Sequence, residues 1–159
     1  MRIGVVSDTH NNLRNVARIV ELFNRAGVER VVHTGDVTQA KTLDALGGLV
    51  APLFGVYGNN DERDALVAAA IRLGFALQDP PLELGWAGRS ILVVHDPREI
   101  PLHLAAHDVV LHGHDHNRVI ERGGGRLIFN PGECAGFMPG RNAVGVLDLR
   151  SLETEMLFF

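Results

Sequence analysis

The chain has 159 residues, 46% hydrophobic and 21% charged, with a formal net charge of −4. This length and balance point to one domain over residues 1–159 with a full core, and exclude a disordered or fibrous chain. The single cysteine rules out an internal disulfide and a four-cysteine zinc site, and the acidic balance argues against a binder of long nucleic acid.

The opening Met1-Arg2-Ile3-Gly4-Val5-Val6-Ser7-Asp8 has too short an apolar stretch for a secretory leader. No run approaches the ~18 apolar residues of a membrane span. The expectation is a cytoplasmic protein with no membrane contact. Histidine is the unusual component: there are eight, three of them at positions 112, 114 and 116. Imidazole is the commonest metal ligand and titrates near neutral pH, so composition points to metal or acid–base chemistry.

In chain order, Ile3 to Val6 predicts a buried strand. Leu13, Val16, Val20 and Phe23 share one face of a helix that Asn11 or Asn12 can cap and Gly27 can end. Strand Val31 to His33, helix Gln39 to Leu46, strand Leu53 to Tyr57 and helix Asp61 to Leu73 continue the alternation. Such alternation predicts a parallel sheet, with ligands gathered at the carboxyl ends of its strands. The second half reads mainly as β. Strands Leu82 to Trp86 and Ser90 to His95 flank Ala87-Gly88, and Val109 to His112 follows. A triple glycine joins Arg118–Arg122 to Arg126–Asn130, and Ala143–Leu149 pairs with Glu153–Phe159. One helix is expected near Leu102 to His107. The apolar end Met156-Leu157-Phe158-Phe159 predicts a paired last strand or a subunit contact, so a homo-oligomer is an open expectation.

Five clusters fall at predicted strand ends: Asp8-Thr9-His10, Gly35-Asp36, Gly58-Asn59-Asn60-Asp61, His95, and Gly113-His114-Asp115-His116. Alone, the first three read more readily as turn or cap chemistry and His95 as a core histidine bonded to backbone, while Gly113-His114-Asp115-His116 is the strongest single signal. Their joint occurrence is the specific signal. In an extended segment the i, i+2 pairs Asp8/His10 and His114/His116 would each point to one side and grip one ion. Asp36 offers two carboxylate oxygens that can bridge two ions, and Asn59 a neutral carbonyl oxygen. Seven donors exceed the needs of one four-coordinate zinc, whereas two ions sharing a carboxylate use them all. His33, His103 and His107 match no cluster and read as packing residues, His112 as structural, and Cys134 as a small buried side chain.

These motifs, in this order, resemble the calcineurin-like metallophosphoesterase superfamily, most closely its small bacterial and archaeal phosphodiesterases. Asn130-Pro131-Gly132 also matches the turn usual after the last motif, and the resemblance runs from Ile3 to about Gly132. It implies a four-layer αββα sandwich, two mixed sheets flanked by helices. It implies one ion on Asp8, His10, Asp36 and His116, and another on Asp36, Asn59, His95 and His114. Two divalent ions are expected, manganese first, with Fe, Ni, Co or Zn also compatible with the donors. The expected reaction is hydrolysis of a small phosphodiester by a metal-bridging hydroxide. The alternatives are a non-catalytic interaction scaffold on this fold, or a phosphomonoesterase or nuclease of the same superfamily. Asn60 stands where many members carry a substrate-contacting histidine, so Asn60 and the adjacent Asp61 are the candidates for charge neutralisation and leaving-group protonation. Asp96 and Glu133 also depart from the family pattern, and Asp96 is expected to orient His95 or to repel substrate.

Overall fold

Strand β1 (Arg2–Val6) sends Ile3 and Val5 into one apolar layer and Val6 into another. That period of two means both faces of its sheet are covered. The computed structural model describes all 159 residues and explains both coverings.

Helices α1 (Leu13–Ala26), α2 (Ala40–Leu46) and α3 (Arg63–Leu73) alternate with β2 (Arg30–His33), β3 (Leu53–Val56) and β4 (Ala76–Gln78). The four strands β1 to β4 are parallel, with Val5 opposite Val32 and Val32 opposite Phe54. Two further strands, β10 (Ala143–Asp148) and β11 (Thr154–Phe158), add antiparallel beside β1, giving the order β11-β10-β1-β2-β3-β4. On the helix side, Val16, Ile19 and Phe23 of α1 are fully buried against Val6 and Val31. Burying each such side chain is worth roughly 1.5–3 kcal/mol. Asn12 caps α1 by accepting from the Asn15 amide at 3.2 Å, and Gly27 ends it at φ 62°.

The second sheet has the order β5-β6-β7-β9-β8. Its centre is parallel: β6 (Arg89–Val93), β7 (Val109–Leu111) and β9 (Arg126–Asn130). Strands β5 (Leu82–Trp86) and β8 (Val119–Gly123) pair antiparallel at its edges. Ile91, Val93, Leu111, Leu127 and Phe129 meet Ile3, Val5 and Val32 between the two sheets. A 3₁₀ turn (Pro97–Glu99) and the short α4 (Ile100–His103) cover part of its outer face, where Leu92, Val94 and Val110 pack near Ile100 and Leu104. The sandwich of two mixed sheets flanked by helices is therefore as anticipated.

Two elements differ from expectation. β4 was not anticipated, because three residues with alternating exposure at a sheet edge leave no apolar run to read. The expected helix near Leu102–His107 lies upstream. Asp96 accepts from the Arg98 amide and starts the 3₁₀ turn, Pro101 fits the first turn of α4, and Leu104 is already extended. The apolar chain end pairs as β11 along β10, with Met156 opposite Gly145. No helix is long and apolar enough to cross a membrane.

Candidate metal centre

Parallel strands from both sheets bring their carboxyl ends to one edge of the sandwich. There the loops after β1, β2, β3, β6 and β7 converge, carrying Asp8, His10, Asp36, Asn59, Asn60, Asp61, His95, His114 and His116. Asp8, Asp36 and His95 are essentially inaccessible to solvent.

Asp8 is held by one oxygen and free at the other. Its Oδ2 accepts a short hydrogen bond from the Ser7 hydroxyl and one from the His114 amide at 3.2 Å. Its Oδ1 has no hydrogen-bond partner and lies 3.5 Å from His116 Nε2 and 3.9 Å from His10 Nε2. His10 Nε2 is likewise buried and unpartnered. Asp36 turns one oxygen to each half of the cluster. Its Oδ2 is 3.4 Å from His10 Nε2, and its Oδ1 is 3.5 Å from His95 Nε2. Asn60 secures both oxygens, its backbone amide on Oδ1 at 2.9 Å and its side-chain amide on Oδ2 at 2.8 Å.

On the His95 side, three polar atoms converge. His95 Nδ1 must donate to the Thr34 carbonyl at 2.9 Å, which leaves the Nε2 of the neutral ring as a lone pair. That lone pair lies 3.0 Å from the Asn59 carbonyl oxygen and 3.2 Å from His114 Nδ1, itself 3.0 Å from the same oxygen. Bare lone pairs this close repel, so either a proton on His114 Nδ1 or a cation lies among them. Two sets of carboxylate and imidazole donors are compact enough to share an ion: Asp8, His10 and His116, and Asp8, Asp36 and His95. The orphaned buried atoms of Asp8 and His10 and these compact donor sets fit divalent metal, and the oxygen–imidazole donors suit Mn, Fe, Co, Ni or Zn.

Outer groups face three of the rings, one of them through a hydrogen bond, an arrangement that suits metal-ligating histidines. Thr34 holds His95. Asp96 Oδ2 lies 3.7 Å from His114 Nε2, and Glu133 Oε2 lies 3.7 Å from His116 Nδ1. Asp96 thus faces His114 rather than its neighbour His95. Glu133, buried behind His116, also accepts from the Phe137 and Met138 amides at 3.2 and 2.8 Å. The Phe137 ring stacks on His116 with centroids 5.6 Å apart. Sequence reasoning gave Ser7, Thr34 and Phe137 no role, because each acts through a contact that only the fold creates.

The backbone here is unusual. Asp8, His10, Asp36, His114 and His116 all have positive φ, between 40° and 74°. Asp8 and His10 therefore meet through left-handed turns, not through extended chain, whereas His114 and His116 do not share a side: His114 sits with Asn59 and His95, and His116 with Asp8 and His10. Such conformations cost roughly 1–2 kcal/mol per non-glycine residue and concentrate at functional sites. Glycines allow the close packing around them: a Cβ on Gly58 would collide with the Asp36 carboxylate, and one on Gly113 with Ser7 and Asp8.

Charge follows the same plan. Burial pushes the Asp8 carboxyl up, against the Ser7 hydrogen bond and the nearby His95 and His116. Burial also acts on Asp36, but the two Asn60 hydrogen bonds, with His95 and His10, hold it below the usual range. Asp61 accepts from the Thr38 amide at 2.5 Å and the Gly58 amide at 2.7 Å, and burial still raises it. The Arg98 hydrogen bond holds Asp96 at about 2.

The chain is 33% identical over 159 residues to the phosphodiesterase MJ0936 of Methanocaldococcus jannaschii, covering 96% of each. It is 28% identical over 153 residues to the phosphodiesterase YfcE of Escherichia coli, covering 85% of this chain and 80% of that one. A solved archaeal phosphodiesterase superposes over the whole of both chains with a TM-score of 0.91 at 32% identity. The family model described as the calcineurin-like phosphoesterase superfamily domain matches residues 1–152, and the chain belongs to that superfamily.

Proposed function

We propose that this protein is a dinuclear metal-dependent phosphodiesterase acting on small phosphodiesters, with manganese the first candidate metal. The observation that carries the reading is the Asp36 carboxylate, whose two oxygens face different imidazoles, His10 and His95. Asp8, His10, Asp36 and His116 would hold one ion, and Asp36, Asn59, His95 and His114 the other. When bound, two such ions generate a nucleophile from water near neutral pH and offset charge on the phosphoryl oxygens. The chain's own part is preorganisation. Asn60 fixes the Asp36 carboxylate with two hydrogen bonds, and its second side-chain N–H remains for a phosphoryl oxygen. Asp61 ties the loop after β2 to the loop after β3 through Thr38 and Gly58, which keeps Asn59 and Asn60 in place. The strained backbone at five of the seven ligand positions favours this reading over a scaffold role, which has no use for it.

The test is Asp36→Asn. Losing the charge between two cations removes the strongest local electrostatic attraction. The variant should keep its fold by circular dichroism, lose bound metal and lose nearly all hydrolysis of bis(4-nitrophenyl) phosphate. Retention of two metal equivalents and wild-type turnover would reject the reading. Assaying 4-nitrophenyl phosphate beside the diester separates a phosphomonoesterase from a phosphodiesterase.

A further inference from the structure

Two grooves flank the metal centre, and they differ in charge. The first, of about 600 Å³, opens beside His95 and His114. Its two arginines are already neutralised: Arg63 pairs with Asp79 and Arg98 with Asp96, while Asp61 and Glu99 add further negative charge. The second, of about 390 Å³, opens beside His116. Arg118 and Arg141 line it, and its wall contains no acidic side chain. Arg118 lies 4.7 Å above the Phe158 ring, and the Arg141 guanidinium makes one hydrogen bond, to the Met138 sulfur at 3.6 Å. Three carboxylates lie just outside this wall: Asp8 and Glu133 are buried against His116 and held by the Ser7 hydroxyl and by backbone amides, and Asp115 accepts from the Asn117 amide at 3.2 Å and the Asn130 side chain at 2.9 Å.

Arginine's planar fork of donors suits a phosphate oxygen pair, and two guanidiniums in an acid-free groove leave such donors unused. We propose that the groove of Arg118 and Arg141 binds a second phosphate carried on one arm of the diester substrate. This deepens, and rests on, the phosphodiesterase reading. The favoured substrate is an organic phosphodiester with a phosphate monoester on one arm, as in a nucleotide esterified at one phosphate and free at another. That arm runs past His116, with the exposed Phe137 ring at the boundary. The other arm lies in the acid-lined groove, which disfavours an anion and accepts a neutral group.

The test uses two esters that differ only in the second phosphate: thymidine 5′-(4-nitrophenyl phosphate) and its 3′-phosphate derivative. In both, water adds across the P–O bond and 4-nitrophenolate leaves. With the manganese-loaded protein, the 3′-phosphate ester should have a kcat/KM about tenfold higher, mainly through KM, the scale of one charge-assisted contact. In the double variant Arg118→Gln/Arg141→Gln the ratio should fall to about 1, and Arg141→Gln alone, on an exposed loop, should lower it in part. Arg150→Gln, which removes an exposed charge elsewhere, should keep the wild-type ratio. A wild-type ratio at or below 1, or a double variant that keeps the preference, overturns the proposal. If neither ester is hydrolysed, the phosphodiesterase reading fails and the groove is judged by calorimetry. Thymidine 3′,5′-bisphosphate should then bind more tightly than thymidine 5′-monophosphate to wild type but not to the double variant. Equal binding by wild type rejects the groove.

Discussion

His33 should make this protein sensitive to mild acid in a way its surface would not. The residue is fully buried at the end of β2. Its Nδ1 accepts from the Gly35 amide at 3.1 Å, so the proton of the neutral ring sits on Nε2, 3.1 Å from the Thr9 hydroxyl. Burial drives its pKa from 6.5 to about 3; the charge of Asp36 opposes this, and His95 and His10 reinforce it. Well above pH 6.5 neither folded nor unfolded chain is protonated there, and the contribution is constant. Below it, the unfolded chain takes up a proton that the folded one cannot, so stability falls until the folded pKa is reached. Integrating from pH 7.5 to pH 5 gives a loss of about 2 kcal/mol, and any folded pKa below about 4 gives the same figure. The assay is urea unfolding with excess chelator, which removes metal linkage, at several pH values over that range. His33→Gln, which keeps a donor and an acceptor but does not titrate, should lose about 2 kcal/mol less on the same acidification. Parallel pH profiles for wild type and variant would refute the argument.

Two further expectations follow from the buried carboxylates. Asp8→Asn removes a charge that burial disfavours, so the metal-free protein should gain about 1 kcal/mol in urea unfolding while losing metal affinity by calorimetry; a less stable apo variant would contradict this. Gly58→Ala drives a methyl group into the Asp36 carboxylate and should cost about 1–3 kcal/mol by thermal unfolding, with weaker metal binding; an unchanged melting temperature would contradict it.

What could be read in advance was local. Apolar runs such as Ile3–Val6 and Val109–Leu111 mark buried strands, Gly27 ends α1, and the site clusters sit beside strand ends because parallel sheets gather function there. What could not be read depended on distance in sequence. The contact of Glu133 with His116 joins loops from β9 and β7, and that of Asp96 with His114 joins loops from β6 and β7. Positive φ at Asp8 or His116 was hidden for a different reason. Local propensity favours other backbone there, and the tertiary frame overrides it: the Asp8 amide is pinned to the Gly35 carbonyl at 3.1 Å, and the His10 amide to Asp36 at 3.1 Å. Short β4 carried too little apolar surface to register at all.

The identity of the leaving-group acid is the sharpest chemical question the site poses. Asn60 cannot give up a proton near neutral pH, and its side-chain amide already holds Asp36 at 2.8 Å. Both oxygens of Asp61 accept from backbone amides, so protonating it to serve as an acid would weaken one of those bonds. Its raised pKa, caused by burial, keeps it in contention on charge grounds alone. Geometry outweighs charge here, because an acid must reach the departing oxygen while still anchoring two loops. General acid catalysis is typically worth ~10²–10⁴-fold, and that is the handicap expected for alkyl leaving groups relative to aryl ones, whose anions are already stable. Wild-type rates should therefore fall steeply as leaving-group pKa rises across a series of phosphodiesters. Asn60→His should flatten the slope if the new ring reaches the leaving oxygen, at some loss of metal affinity from the freed Asp36 oxygen. Asp61→Asn should lower all rates together by loosening the loop while leaving the slope unchanged. A shallow slope in wild type that turns steep only in Asp61→Asn would assign the proton to Asp61 and reverse the conclusion.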